Sequence, residues 1–494
     1  MIHFKAVFYR CFCITLFSSL MGGMWAQDTL FLDLQTAIRM AQEQSPNAKI
    51  LRYEYLASKW DLAAFQASLK PQISLNADLP GFSRSINNIS QDDGSSLFRT
   101  QSLAFSSGSI FVRQELPITG GSIFMSSGVS SLWNFEPLEN QLWQTSLLVV
   151  GLNQPLFQLN ETQWNLREER MEFRRAQINY IASLEEVAQE LTRIFFDALV
   201  AQKTKEGAQV NLINNDTVFT LSKGRFEVGK IAENELLQSE LRYISAQADL
   251  EQAELDYQQA IRELRILLNL PVGQPVALGI PQGLPGTQIN ADFAIAQANQ
   301  FSLFSQNIGL RRFRGERQLR EVQQSNRLRA DLQATFGLNQ SADDFFDSYQ
   351  DPVDRQTFSV GINIPLFNWG RGRANREAAL ARQESLRISL DQEQRDFEND
   401  IFFQVRSVQQ LEKRLQIAAR GDTVAQRRYE ISKQRYLIGK ISIQDLFIAQ
   451  QEKDGAQQNY IFSLRSFWNA WAELRRLTLY DFEKQVSLTD EIIE

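Results

Sequence analysis

Cysteine and histidine are nearly absent from this 494-residue chain. Its two cysteines, Cys11 and Cys13, and its one histidine, His3, all fall near the start. That start reads as a secretory signal peptide over residues 1–26: Lys5 and Arg10, the apolar stretch "CFCITLFSSL", then the small residue Ala26 at a cleavage point. The apolar run is too short to span a bilayer, which takes about 20 residues. Neither cysteine follows the small-residue box of lipoprotein processing, so no lipid anchor is expected. With the signal removed, the chain has no disulfide framework, no thiol nucleophile, no imidazole for acid–base work and none of the usual zinc ligands. No catalytic, cofactor-binding or metal-binding residue is expected, and the chain is not read as an enzyme. A basic excess is also lacking, with 51 Lys and Arg against 58 Asp and Glu. Loss of Lys5 and Arg10, with no acid in 1–26, takes the formal charge from −7 to −9, which argues against a nucleic-acid partner. No later run of 18 apolar residues occurs, so the exported chain is either soluble or enters a membrane as a β-barrel, the other closed solution in lipid.

What the sequence does contain is an internal duplication. At a constant offset of 210, "LNQPLFQ" (152–158) falls on "INIPLFN" (362–368), and "RFEVGKIAENELL" (225–237) on "RYLIGKISIQDLF" (435–447). The same offset carries "ELR" at 263–265 onto 473–475. Upstream, Ala37 and Ile38 match Ala294 and Ile295 at an offset of 257, so the first half holds 47 extra residues, the difference of the two offsets. The expected plan is a first repeat over 27–269, with the insertion at about 83–142, and a second over 291–480, ending in a tail over 481–494. Between the repeats, 270–290 opens with "LPVGQPVALGIPQGLPG", whose four prolines and four glycines mark an irregular linker.

Each repeat reads as helix, strands, long helix, sharp turn, helix. Strands follow from period-2 alternation. Ile73, Leu75, Ala77 and Leu79 alternate with polar residues, as do Ala330, Leu332, Ala334, Phe336 and Leu338, and Phe358, Val360, Ile362 and Ile364. This pattern fits both an outer-membrane barrel wall and a half-buried soluble sheet. Within the insertion, "LPITGG" (116–121) reads as a tight turn between two further strands. The segments 160–222 and 372–434 lack proline and keep a three-four apolar rhythm, through Leu184, Val187, Leu191, Ile194 and Ala198 in one and Ile401, Val405, Val408, Leu411 and Leu415 in the other. That rhythm predicts coiled-coil helices, each of about 60 residues and roughly 90 Å.

The duplicated plan, the "QPLF" and "IPLF" junctions, the "RFEVGK" and "RYLIGK" turns and the Pro/Gly-rich linker together resemble the TolC-like outer membrane efflux proteins. The resemblance covers nearly the whole mature length. It implies an α+β membrane protein: a homotrimer whose long antiparallel helices form a periplasmic α-barrel and whose strands enter one shared outer-membrane β-barrel. It further implies a passive exit duct for small molecules or proteins, coupled through a periplasmic adaptor protein to an inner-membrane pump of RND or ABC type. The alternative is a periplasmic coiled-coil scaffold without a membrane barrel. The family pattern is four strands per protomer, and the insertion predicts either six or an elaborate extracellular loop.

The resemblance also places a periplasmic gate and adaptor-facing tips. Asp445 falls on an aspartate of the family's acidic ring, while Ile448 stands where a second ring aspartate is expected. Ile441 stands where the gate-locking arginine is expected, and Asn234 and Glu235 fall on that arginine's polar partners. The latch is therefore missing, and packing of Ile441 and Ile448 is a substitute. The competing reading makes Asp445 and Glu235 ordinary first-turn helix acids. The tips span about 224–231 and 434–441. They would offer Arg225, Phe226, Val228, Gly229, Lys230 and Ile231 on one side, and Arg435, Tyr436, Ile438, Gly439, Lys440 and Ile441 on the other. Gly229 and Gly439 are expected to be C-cap glycines.

Overall fold

The computed structural model describes residues 29–90, 96–136, 139–271, 273–281, 283–285 and 288–490; the expected signal segment, with His3, Cys11 and Cys13, lies outside them. In chain order the first elements are β1 (Leu30–Leu32), α1 (Leu34–Gln44), α2 (Pro46–Ser68), β2 (Gln72–Ser90), β3 (Ser96–Leu116), β4 (Gly121–Glu136) and β5 (Asn140–Leu156). There follow α3 (Glu161–Glu227), α4 (Glu233–Leu267), β6 (Val276–Leu278), α5 (Ala291–Phe301) and α6 (Leu303–Ser325). The last are β7 (Arg329–Ala342), β8 (Val353–Asn363), α7 (Arg371–Leu437), α8 (Ile443–Thr478), β9 (Tyr480–Asp481) and β10 (Val486–Ser487), with a short 3-10 turn at Asp347–Tyr349.

The duplication extends to the helix caps. The Asp33 carboxylate accepts from the Thr36 amide at 2.6 Å, and Asn290, its counterpart at offset 257, accepts from Asp292 and Phe293. Ser45 caps α2 by accepting from Ala48, and its counterpart Ser302 caps α6 by accepting from Ser305. Each bond satisfies an amide that the first helical turn leaves free.

Two compact units divide the chain. One comprises Met1–Lys49, Glu185–Thr287 and Ser407–Glu473. Its core includes Leu191, Phe195, Leu199, Leu264, Phe467 and Trp471, all buried. The linker is less irregular than its composition implies. Val276 and Leu278 are buried, and β6 pairs in parallel with β1, Leu30 opposite Val276 and Leu32 opposite Leu278. Two apolar anchors on a strand outweigh the flanking prolines, which lie outside the paired residues.

The other unit comprises Ile50–Leu184, Gln288–Arg406 and Leu474–Glu494. It holds a six-stranded sheet in the order β2-β3-β4-β5-β7-β8, antiparallel at every step. The inserted "LPITGG" is the β3–β4 hairpin turn: Gly120 has φ +78° and donates from its amide to Leu116 O at 2.7 Å. Asn160 donates to the carbonyls of Pro117 and Ile118 and fixes the turn from outside. Both inserted strands therefore stand inside the sheet.

The sheet's polarity is the reverse of a half-buried soluble one. Ile73, Val112, Met125, Val150 and Phe336 are successive cross-strand partners and share one face. On that face Ile73, Met125, Val150 and Phe336 are all exposed. The opposite face carries Ser74, Asn76, Ser109, Ser126, Asn153, Gln333 and Thr357. It also carries Phe111 stacked on Phe124, over Gly151, where a Cβ would run into the Phe124 ring. Aromatic side chains bracket the apolar face. At one end Phe135 packs on Phe82 and Trp133, and Trp143 and Tyr349 pack on Phe345. At the other end Phe157, Phe367 and Trp369 are exposed, with Phe367 edge-on to Trp369 at 4.7 Å. Along β4, Ile123 to Trp133 covers about 25 Å of height at an ordinary strand tilt. Among the described residues no helix is long and apolar enough to cross a membrane.

Candidate functional site at the paired helix turns

The α3–α4 and α7–α8 turns have the same backbone. Gly229 and Gly439 take φ +71° and +73°. The Gly229 amide donates to Phe226 O and the Lys230 amide to Arg225 O, both at 2.8 Å; Gly439 and Lys440 repeat this on Tyr436 and Arg435 at the same distances. This is a Schellman termination, which satisfies the last helical carbonyls and requires a left-handed residue after the cap. No atom lies within 3.4 Å of where a Cβ would stand on either glycine, so the requirement is conformational and not steric. Gly439→Ala is accordingly expected to cost about 1–2 kcal/mol from the left-handed backbone alone. A thermal melt in detergent checks this, and an unchanged midpoint would refute it.

The side chains around the turns differ. Arg225 donates from Nη2 to the carbonyls of Tyr436 and Leu437, at 3.3 and 3.2 Å, and its guanidinium lies over the Tyr436 ring. It thus ties the end of α3 to the end of α7, where orphan carbonyls and the helix dipole favour a cation. Arg435, its counterpart, instead contributes positive potential at Asp445. Tyr436 was expected on the exposed tip. It is 4 % exposed, packed with Val218, Tyr429, Ile443, Leu446 and Phe447, and its hydroxyl lies 3.2 Å from Ser222 Oγ. Its counterpart Phe226 stays at the surface, as do Val228, Gly229, Lys230, Ile438, Gly439 and Lys440; Ile231 is half-buried.

Asp445 closes a capping box. Ser442 donates to Asp445 Oδ2 from its hydroxyl at 2.7 Å and its amide at 3.2 Å, and Ser442 Oγ accepts from the Asp445 amide. The Ser442 hydrogen bonds, with smaller help from Arg428 and Arg435, hold the Asp445 carboxyl below the usual carboxylate range. In the first turn Ala232 stands where Ser442 would, makes no side-chain cap, and Asn234 and Glu235 are exposed. Ile441 packs against the Tyr436 cluster, but Ile448 is 41 % exposed. Ile448 lies on the open side of α8, while Leu446, Phe447 and Ala449 fill its packed side.

Behind the turns lies a polar network that the sequence reading did not include. Lys453 is 6 % exposed, pairs with Asp454 at 2.9 Å and sits over the Tyr429 ring at 4.8 Å. Asn211 of α3 donates to Asp454 Oδ2, Asn214 donates to the Tyr429 hydroxyl, and Lys433 donates to Asn214 Oδ1, each at 2.9 Å. Burial, with the nearby Glu430 and Asp454, pushes the Tyr429 hydroxyl up to about 12. One signal was available in the sequence: Lys453 occupies the next step of the three-four rhythm after Leu446 and Ala449. Among the described residues, no group of His, Cys, Asp and Glu is arranged to hold a metal ion.

Comparison with known proteins matches the model of the outer membrane efflux protein family over residues 124–270 and 296–478. The pyoverdine export outer membrane protein OpmQ of Pseudomonas aeruginosa is 24% identical over 279 residues, which are 53% of this chain and 55% of that relative. The matched region thus spans about half the length of that curated relative. The outer membrane channel CmeC of Campylobacter jejuni superposes with a TM-score of 0.64 at 15% identity, covering 93% of this chain and 88% of that one. The outer membrane protein VceC of Vibrio cholerae superposes with a TM-score of 0.63 at 14% identity, covering 90% and 96%. At such identities the two structures speak for the fold alone.

Proposed function

The chain belongs to the outer membrane efflux protein family, and from that premise we propose that it works as a homotrimeric exit duct whose sheet lies in the outer membrane as barrel wall. It is a TolC-like protein of the outer membrane that extends into the periplasm. The observation that carries the barrel reading is the exposed apolar face of the six-stranded sheet, bracketed by aromatic residues at both ends. An outer-membrane barrel needs an apolar band about 25 Å tall between two aromatic girdles, with polar residues inward. A periplasmic scaffold would instead expose that face to water.

In this reading the turns are the periplasmic tips. Val228, Lys230, Ile438 and Lys440, presented by the two glycine caps, form similar sockets for a periplasmic adaptor, which links the duct to an inner-membrane pump. Arg225 joins the two tips within one protomer and stands in for the missing family latch. Asp445, repeated three times about the axis, supplies a ring of negative charge that favours cations. Within each copy the Ser442 hydrogen bonds hold the Asp445 carboxyl below the usual carboxylate range and so favour its charged form.

Light scattering in detergent tests the assembly, with three protomer masses expected and a monomer overturning it. Planar-bilayer recording tests the duct and its gate together. Wild-type protein is expected to conduct with cation preference, and Asp445→Ala to lose much of that preference. Equal selectivity in the two would remove Asp445 from the gate.

A further inference from the structure

The six-stranded sheet stops at two bare edges. Every residue of β8 is exposed, as are residues 72–88 of β2, and the two strands do not pair with each other. Unpaired amides and carbonyls on an edge cannot be tolerated in hydrocarbon, so a sheet placed there must close. The two edges suit each other. Directions alternate across six strands, so β8 runs opposite to β2, and β8 of one copy meets β2 of another as an antiparallel pair.

The register follows from the ends of the strands. A row of cross-strand partners runs Gln72, Arg113, Phe124, Gly151, Thr335, Thr357. β2 begins at Gln72, but β8 continues six residues past Thr357, to Asn363. Matching the ends therefore sets Asn363 beside Gln72 of the next copy, a stagger of six residues over six strands. With about 3.3 Å per residue and about 4.8 Å between strands, that stagger gives a tilt of about 35°, within the range of outer-membrane barrels. The stagger is even, so side chains keep their faces across the seam. Ile362 then meets Ile73, Val360 meets Leu75 and Phe358 meets Ala77, and the apolar face continues unbroken.

Resting on the trimer reading above, we propose that three copies close through these seams into one barrel of 18 strands, six from each. The family pattern of four strands per protomer would close with 12. Barrel diameter grows nearly linearly with strand number, so the backbone-to-backbone width rises from about 24 Å to about 36 Å. The partner that β2 and β8 fit is thus a second copy of this chain, and the β3–β4 insertion widens the mouth of the duct.

Cysteine pairs test the seam in a chain whose only native cysteines lie in the expected signal peptide. In full-length protein in outer membranes, Ile362→Cys with Ile73→Cys, and Val360→Cys with Leu75→Cys, are expected on oxidation to give covalent dimers and trimers. The ladder should end at three copies. Phe336→Cys with Val150→Cys, partners within one sheet, serves as the folding control and should lose its thiols without linking copies. Suppose light scattering gives a trimer and the control pair closes, yet no pairing of β8 with β2 at a stagger of six or eight links copies. The 18-stranded seam is then wrong while the trimer stands. A ladder ending at two copies also overturns the strand number. A monomer by light scattering overturns the trimer itself, and the seam with it.

Discussion

Asp454→Asn is expected to destabilise the helices behind the turns by on the order of 3 kcal/mol, because it leaves the Lys453 ammonium buried without its counter-charge. The two partners are unequal: the Lys453 side chain is 8 % exposed and that of Asp454 is 32 %. Burial pushes the Asp422 carboxyl up, with Lys453 pulling it back, and Asp454 is the carboxylate in ion-pair contact with Lys453. The face of Tyr429 offers a further small attraction. Lys453→Met should be far milder, since an apolar chain of similar length fills the same site and Asp454 keeps the Asn211 bond and access to water. Thermal melts of both variants in detergent check the asymmetry, and equal losses would refute it.

The second large effect is in the sheet. Val150→Arg places a cation at mid-height of the exposed apolar face, between Met125 and Phe336. If that face meets lipid, the cost is about 2–4 kcal/mol, the range for a basic residue at the bilayer midplane. Gln333→Arg, on the opposite face, should cost little, because in the same reading that face meets water in the lumen. Urea titration of protein folded into vesicles measures both. A larger penalty for Gln333→Arg would mean that the polar face is the buried one, and the sheet would not be a barrel wall.

Much of this architecture was legible in the sequence because duplication writes each local signal twice. The glycine caps and the strand alternation rest on neighbours within a few residues, which pattern reading captures. What escaped was long-range. Arg225 and Arg435 occupy equivalent positions, and only the packing of α3 against α7 decides that the first reaches across the turn. Tyr436 and Phe226 are likewise equivalent in pattern, yet one is buried and the other exposed. β6 was hidden by composition, since Val276 and Leu278 are too few to outweigh four prolines until Leu30–Leu32 supplies the partner. Asp445 held two readings, and its capping bonds show one of them at work without excluding the other.

The strands of the first repeat are longer than a bilayer needs. Some 10 residues suffice to cross one, whereas β2 has 19 and β3 has 21, paired to their distal ends at Ser90 and Ser96. If the sheet is the barrel wall proposed above, the hairpin continues beyond Phe82 and Trp133 out of the bilayer, carrying Ser83, Arg84, Asn87 and Asn88 with it. A duct set in the outer membrane would then show the outside world a stiff polar blade. Antibodies and phage would meet that blade first.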